Sequence, residues 1–330
     1  MEKTRLKYID IAKGIGIFLV IWGHLIADGF VDNLIYSFHM PLFLFLSGYM
    51  LRIKNPALSD AFVKKLMKQL LVPYFVFSAV YLVWEFLLNR ESFVGIIYMT
   101  YQTVTFRGMA PLWFLASLFF AELFFLVLMK WNKTATTVIM VLLGLLHVVL
   151  GRYIDLYNLS GVISNPLLFL VRTSLCAPIL ACGYGFCYVL QKQTLVENKR
   201  LVCVVVFCVT LAVCAYITAV TEIAVNVHLY TFSSIGLFIV TAIAGSIGIL
   251  TFSIAIKKCR LIESMGQSSL MLMVLHYPIT QILKNYIQFD NKVLSVVVSF
   301  ATAVVLMAVL YLLLKPIQKI FTKRSSMVKQ

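Results

Sequence analysis

Residues 10–28 read DIAKGIGIFLVIWGHLIAD, an apolar run broken by four ionisable side chains, Asp10, Lys13, His24 and Asp28. Coiled as a helix, the run rises about 28 Å, close to the ~30 Å hydrocarbon core of a bilayer. Lys13 and His24 are eleven residues apart. That separation leaves them only about 20° out of phase on one face, about 16 Å apart along the axis. Asp10 and Asp28 are five full turns apart and fall on the same stripe. Asp10 neighbours Lys13 at i,i+3, and His24 neighbours Asp28 at i,i+4. Charge inside a span costs several kcal/mol, so such residues point to a functional site by default. The plainer alternatives are a snorkelling Lys13 that marks the interface with Asp10, and a His24 hydrogen-bonded between helices.

The rest of the chain is as apolar as this segment. Of 330 residues 62% are hydrophobic and 12% charged, against about 45–50% and about 25% in soluble domains. Mean hydropathy is +0.95. Too little polar surface is available to face water, which excludes a soluble enzyme, a secreted disulfide scaffold and a nucleic-acid-binding domain. The expected fold is an all-α integral membrane protein, one domain over residues 1–330. Ten spans are expected at 10–28, 35–51, 69–89, 111–129, 135–151, 166–190, 201–219, 233–256, 267–284 and 293–314. Segment 92–106 is shorter and aromatic, suited to lying along the interface.

The net charge of +15 is accounted for by topology rather than by a nucleic-acid partner. With both termini in the cytoplasm, 22 of the 28 basic residues fall on the inner side, five outside, and Arg172 within a span. That asymmetry is the positive-inside pattern. No cleavable leader is expected before the first span. The seven cysteines lack CxxC or Cys/His ligand spacing and read as packing residues, so no metal site is expected.

Further polar residues mark the spans. Phe38-His39-Met40-Pro41 opens the second, with proline in the tolerated first turn, and Ser47, Tyr49, Arg52 and Lys54 follow. His39 then lies at a depth similar to His24, and neutral imidazoles suit acid–base work. His276 precedes Pro278, which frees a carbonyl about four residues back. Glu85, Glu122 and Arg172 each need a partner or an aqueous cavity. Trp113-Phe114 fits an outer aromatic belt, and His147 and His228 read as structural. Ala244-Gly245-Ser246-Ile247-Gly248 approaches a GxSxG motif, but small residues in a span favour helix packing.

Four stretches in order carry a family resemblance: Asp10-Ile11-Ala12-Lys13-Gly14 to Gly23-His24; Phe38-His39-Met40-Pro41-Leu42-Phe43 with Leu46-Ser47-Gly48-Tyr49; Pro111-Leu112-Trp113-Phe114-Leu115; and Gly266 to Pro278. Together they resemble the acyltransferase-3 family of bacterial membrane acyltransferases, in a branch similar to fucose 4-O-acetyltransferases. The resemblance implies transfer of an acyl group, usually acetyl from acetyl-CoA, to a hydroxyl of a cell-surface or exported glycan or lipid-linked saccharide. It also implies a bacterial cytoplasmic-membrane location and a single-module enzyme without an appended hydrolase-like domain. The family's first-span base is commonly Arg; Lys13 keeps the charge but loses the bidentate fork.

On that basis His24 is the expected general base, with Asp28 orienting its ring and His39 assisting. Lys13, Arg52 and Lys54 are expected to attract the coenzyme A phosphates. Asp10, Ser47, Tyr49, Trp113, Glu122 and His276 are further candidate site residues. A polytopic transporter or glycan-lipid flippase would also use intramembrane His, Glu and Arg. The paired broken helices of an inverted repeat are not visible in the sequence.

Overall fold

Helix α1 (Lys7–Leu25) is the first of a series of helices that make up nearly all of the computed structural model. The structure describes residues 6–26, 29–88, 90–153, 159–192, 200–221, 225–284, 286, 287, 289 and 291–327. After α1 come α2 (Phe30–Tyr36), α3 (His39–Lys54), α4 (Asp60–Leu87), α5 (Phe93–Val104), α6 (Trp113–Trp131) and α7 (Lys133–Leu150). Helices α8 (Gly161–Lys192) and α9 (Arg200–Thr221) lead to a small hairpin, β1 (Val225–Asn226) and β2 (Thr231–Phe232). The chain ends with α10 (Ile235–Ile256), α11 (Arg260–Gln267), α12 (Ser269–Lys284) and α13 (Lys292–Met327).

Each of the ten expected spans coincides with a helix. Among the described residues, eight segments are long and apolar enough to cross a membrane. Helix α7 is a shorter apolar helix, and α12, at 16 residues, spans only about 24 Å. The structure departs from the expected boundaries in two places. Span 35–51 is divided at Ser37–Phe38, where α2 stops and α3 begins; the proline at the third position of α3 sits where its missing N–H costs nothing. Expected span 267–284 corresponds to α12, which starts at Ser269 after a break at Ser268 that separates it from the short amphipathic helix α11, ending at Gln267. Segment 92–106 forms the short, largely exposed helix α5, in keeping with an interfacial role.

Apolar side chains cover the outer faces of the bundle. Val205 and Val209 on α9, Val141 and Leu145 on α7, and Val297 and Val305 on α13 are all exposed, as lipid contact requires. Between helices, where lipid and Leu are equally apolar, close approach through small residues supplies the packing. Gly48 of α3 lies against the Leu180 carbonyl of α8, and Gly183 of α8 lies against the Phe45 carbonyl of α3. A Cβ at either position would collide with backbone. The pairs Gly14–Ile262 and Gly266–Asp10 join α1 and α11 in the same way. The near-GxSxG stretch is packing too: Ser246 donates to the Ala242 carbonyl at 2.6 Å, and Gly245 lies against Phe38.

Pro278 lies inside α12, which remains helical through it. Its missing N–H leaves the Val274 carbonyl without an intrahelical donor. The Tyr81 hydroxyl of α4 donates to that carbonyl at 2.5 Å, so the freed group is satisfied by a neighbouring helix.

Candidate active site

Helices α1, α3, α6 and α12 surround two cavities stacked along their length. The first, about 260 Å³, is lined by Lys13 from α1, Ser47 and Lys54 from α3, Lys65 and Gln69 from α4, Glu122 from α6 and Ser269 from α12. Ser47 donates its hydroxyl proton to the Glu122 carboxylate, and Glu122 is only 7% exposed. The buried carboxylate therefore has a hydrogen-bond donor and lysines lining the same space.

The second cavity, about 210 Å³, is lined by Val20 and His24 of α1, Tyr36 of α2, His39 and Met40 of α3, Trp113 of α6, and Tyr277 and Gln281 of α12. Asn226, Val227 and His228 of the hairpin close it. Between the two cavities, the Phe43 and Phe114 rings meet edge-on with centroids 6.0 Å apart. Both rings line the lysine cavity at its end nearest the histidines. Ile17 and Ile21 of α1, fully buried, occupy the same stretch of that helix.

His24, His39 and His228 line the second cavity, and His276 packs against the His24 ring. The rings of His24 and His276 have centroids 5.2 Å apart, and Tyr36 lies 6.1 Å from His24 and 4.8 Å from His39. His39 Nδ1 lies 2.8 Å from the Ile35 carbonyl, and His276 Nδ1 lies 3.0 Å from the Leu272 carbonyl. A carbonyl can only accept, so both Nδ1 atoms carry the proton, and in the neutral ring each Nε2 carries the lone pair. His276 Nε2 is buried without a hydrogen-bond partner. His24 Nδ1 lies 3.4 Å from the Tyr36 hydroxyl. The Asp28 expected to orient this ring lies outside the described residues.

Arg172 of α8 is fully buried, and its donors go to oxygens rather than to a carboxylate. Nε donates to Ser117 Oγ at 3.1 Å and Nη1 to the His228 carbonyl at 3.1 Å. Nη2 donates to the carbonyls of Phe106 and Arg107, each at 3.0 Å. The guanidinium carbon lies 4.7 Å from the Trp113 ring centroid, an added cation–π contact. One side chain thus ties α6, the 105–109 loop and the hairpin together over the histidines.

His24, His39 and Trp113 therefore line one cavity, with His276 packed against His24, and Lys13, Lys54, Ser47 and Glu122 line the other. Arg52 does neither. Its guanidinium donates to Tyr184 Oη at 3.1 Å and packs over the Tyr184 and Tyr188 rings, beside a separate apolar cavity between α6, α7 and α8. Tyr49 is hydrogen-bonded to Tyr8 at 3.1 Å. Asp10 accepts from the Gln267 amide at 3.4 Å, at the α1–α11 junction. Trp113 is 5% exposed and stacks on His228 with centroids 6.0 Å apart, so it is a wall of the site and not part of an interfacial belt. His147 is a hydrogen-bonded core histidine, held by Tyr230 at 2.6 Å and Ser174 at 3.0 Å.

His228 is the residue that sequence reasoning missed. Nothing in its neighbours distinguishes it, and only the hairpin fold brings it to the cavity. Burial, with Arg172 alongside, lowers its imidazole to about 3, against the opposing pull of a hydrogen bond to the Gly108 carbonyl. It is neutral at physiological pH.

The fold and its buried polar groups define a multi-pass membrane protein with ionisable side chains inside the bundle. A comparison of the chain with known families narrows that class: the acyltransferase-3 model, described as an acyltransferase domain, matches residues 6–312. The chain belongs to this family and is a membrane acyltransferase. No curated protein and no solved structure matches it.

Proposed function

We propose that the protein transfers an acyl group, most simply acetyl, from cytoplasmic acyl-CoA to a hydroxyl of a cell-surface or exported glycan at a bacterial cytoplasmic membrane. The supporting observation is the stacking of a lysine-lined cavity and a histidine-lined cavity along α1, α3, α6 and α12. In this reading Lys13, Lys54 and Lys65 attract the coenzyme A phosphates. The uncharged pantetheine arm then threads past Phe43 and Phe114 toward His24, over the ~16 Å that separates Lys13 from His24 along the helix. Arg52, turned toward the tyrosines of α8, is left out of the phosphate site.

With Nδ1–H donating to Tyr36, His24 Nε2 has the lone pair that accepts the hydroxyl proton as the oxygen attacks the thioester carbonyl. Collapse of the tetrahedral intermediate breaks the C–S bond, and His24 returns the proton to the departing thiolate. An ester and free coenzyme A result. His39 lines the same space and positions the acceptor hydroxyl, while His276 packs against the His24 ring and holds its orientation.

Membranes containing wild type or His24→Ala, matched for protein level, are incubated with labelled acetyl-CoA and cell-envelope glycan. Base-labile label in the glycan, reduced about 10²–10⁴-fold in the variant, is the expected result for a general base. Equal labelling by both proteins would remove His24 from that role.

A further inference from the structure

We infer that a third cavity, beside the histidines, is a saccharide-binding subsite that presents its ligand's hydroxyl to them. This inference rests on the acyl-transfer reading for the fate of that hydroxyl. The cavity is about 500 Å³ and is lined by Tyr81, Trp84, Glu85, Gln102, Arg107, Tyr277 and Gln281, among others. Ligand sites commonly measure about 300–1,000 Å³, so the space suits one or two sugar rings.

Its chemistry selects among ligands. The Tyr81 and Tyr277 rings are stacked, 6.3 Å apart and 26° from parallel, and Trp84 adds a third flat wall. Such faces match the C–H faces of a pyranose. Gln102, Gln281 and Glu85 supply planar groups that accept hydrogen bonds, the two amides also donating, as a ring of hydroxyls needs. Among the described residues the Gln102 and Gln281 amides have no side-chain hydrogen-bond partner. An anionic headgroup is a poor fit. Among the described residues Arg107 is the one cationic lining residue, and its guanidinium is held by Asn165 at 2.5 Å and Tyr98 at 3.1 Å, with the Glu85 carboxylate on the same lining. An acyl tail would leave the two amides unpaired.

The position is as informative as the lining. His228, Tyr277 and Gln281 line this cavity and the histidine cavity alike, so the two adjoin. His228 Nε2 is buried at that shared wall without a partner, a lone pair awaiting a donor such as a sugar hydroxyl. The walls are fixed in advance. Tyr81 is held by its bond to Val274, and Arg172 clamps both the Arg107 and the His228 carbonyls.

Binding is read directly by saturation-transfer NMR on the purified protein in lipid nanodiscs, with methyl glycosides of glucose, galactose, N-acetylglucosamine and fucose as probes. At least one glycoside is expected to bind wild type and to bind about three- to tenfold more weakly to Trp84→Ala, the worth of one aromatic stacking partner. Gln102→Ala should weaken the same glycoside, and Trp84→Phe should retain it. No binding by wild type, or binding unaffected in both Trp84→Ala and Gln102→Ala, overturns the subsite. Because no transfer is read, failure of the subsite leaves the acyl-transfer reading intact, and failure of transfer leaves a measured saccharide site.

Discussion

The Tyr81 hydroxyl occupies the place that a backbone N–H would have filled at the Val274 carbonyl, four residues before Pro278. Removing it with Tyr81→Phe leaves a carbonyl unsatisfied inside the bundle, at a cost of about 0.6–2 kcal/mol for such bonds in membranes. Pro278→Ala restores the intrahelical donor. The double variant should therefore recover most of the stability that Tyr81→Phe loses. Thermal unfolding in detergent measures this cycle, and losses that simply add would show that the bond does not serve the proline.

Arg172→Met removes a guanidinium whose donors reach Ser117 and three backbone carbonyls. Taking one partner from a buried charged network typically costs about 3–5 kcal/mol. Here the orphaned groups are loop carbonyls, so the hairpin and the 105–109 loop should open before the bundle does. Limited proteolysis is expected to cut near residues 225–232 in the variant at temperatures where wild type resists. Cleavage distributed evenly over the chain would contradict a clamp.

The pH response of His228 has a defined sign. Its folded-state value is about 3, against about 6.5 in an unfolded chain. Between those values the unfolded state holds more protons, so stability rises with pH across that window. The contribution is complete above about pH 6.5 and is lost as the pH falls from there toward 3. His228→Asn lacks the titrating group and should lose less melting temperature than wild type between pH 7 and pH 4.5. Parallel curves for the two proteins would remove His228 as the source.

Lys13 meets its proposed partner through charge. Lys13→Ala should raise the KM for acyl-CoA about 10- to 100-fold, as expected for a hydrogen bond to a charged group. Lys13→Arg should restore most of it. The wild-type KM should also rise with ionic strength through screening. A KM unchanged by Lys13→Ala would confine this lysine to a topological role.

How much of this was legible in the sequence follows from the physics of each feature. Spans were readable because twenty apolar residues have few other uses. The shared face of Lys13 and His24 followed from helical period alone, and both line cavities on that face. Phe38-His39-Met40-Pro41 disclosed a helix start, and Pro278 a freed carbonyl, although only packing could show that Tyr81 meets it. Arg172 announced that it needed partners, but its oxygens lie on segments separated from it by 55 to 66 residues. His228 gave no local signal because a two-residue strand pair has no period to detect. Arg52 illustrates the converse: charge and position suggested phosphate, while the tyrosines that hold it are on another helix.

The Phe43–Phe114 contact also has an electrical consequence. Where water-accessible space enters a protein from both sides, the membrane potential falls across the remaining dry layer. Moving one charge through it costs about 2.3 kcal/mol per 100 mV. A thioester arm is neutral, so its passage between those rings does no work against the field, and the phosphates that would feel it remain among the lysines. The transfer chemistry proposed here would therefore run at the same rate in energised and de-energised membranes.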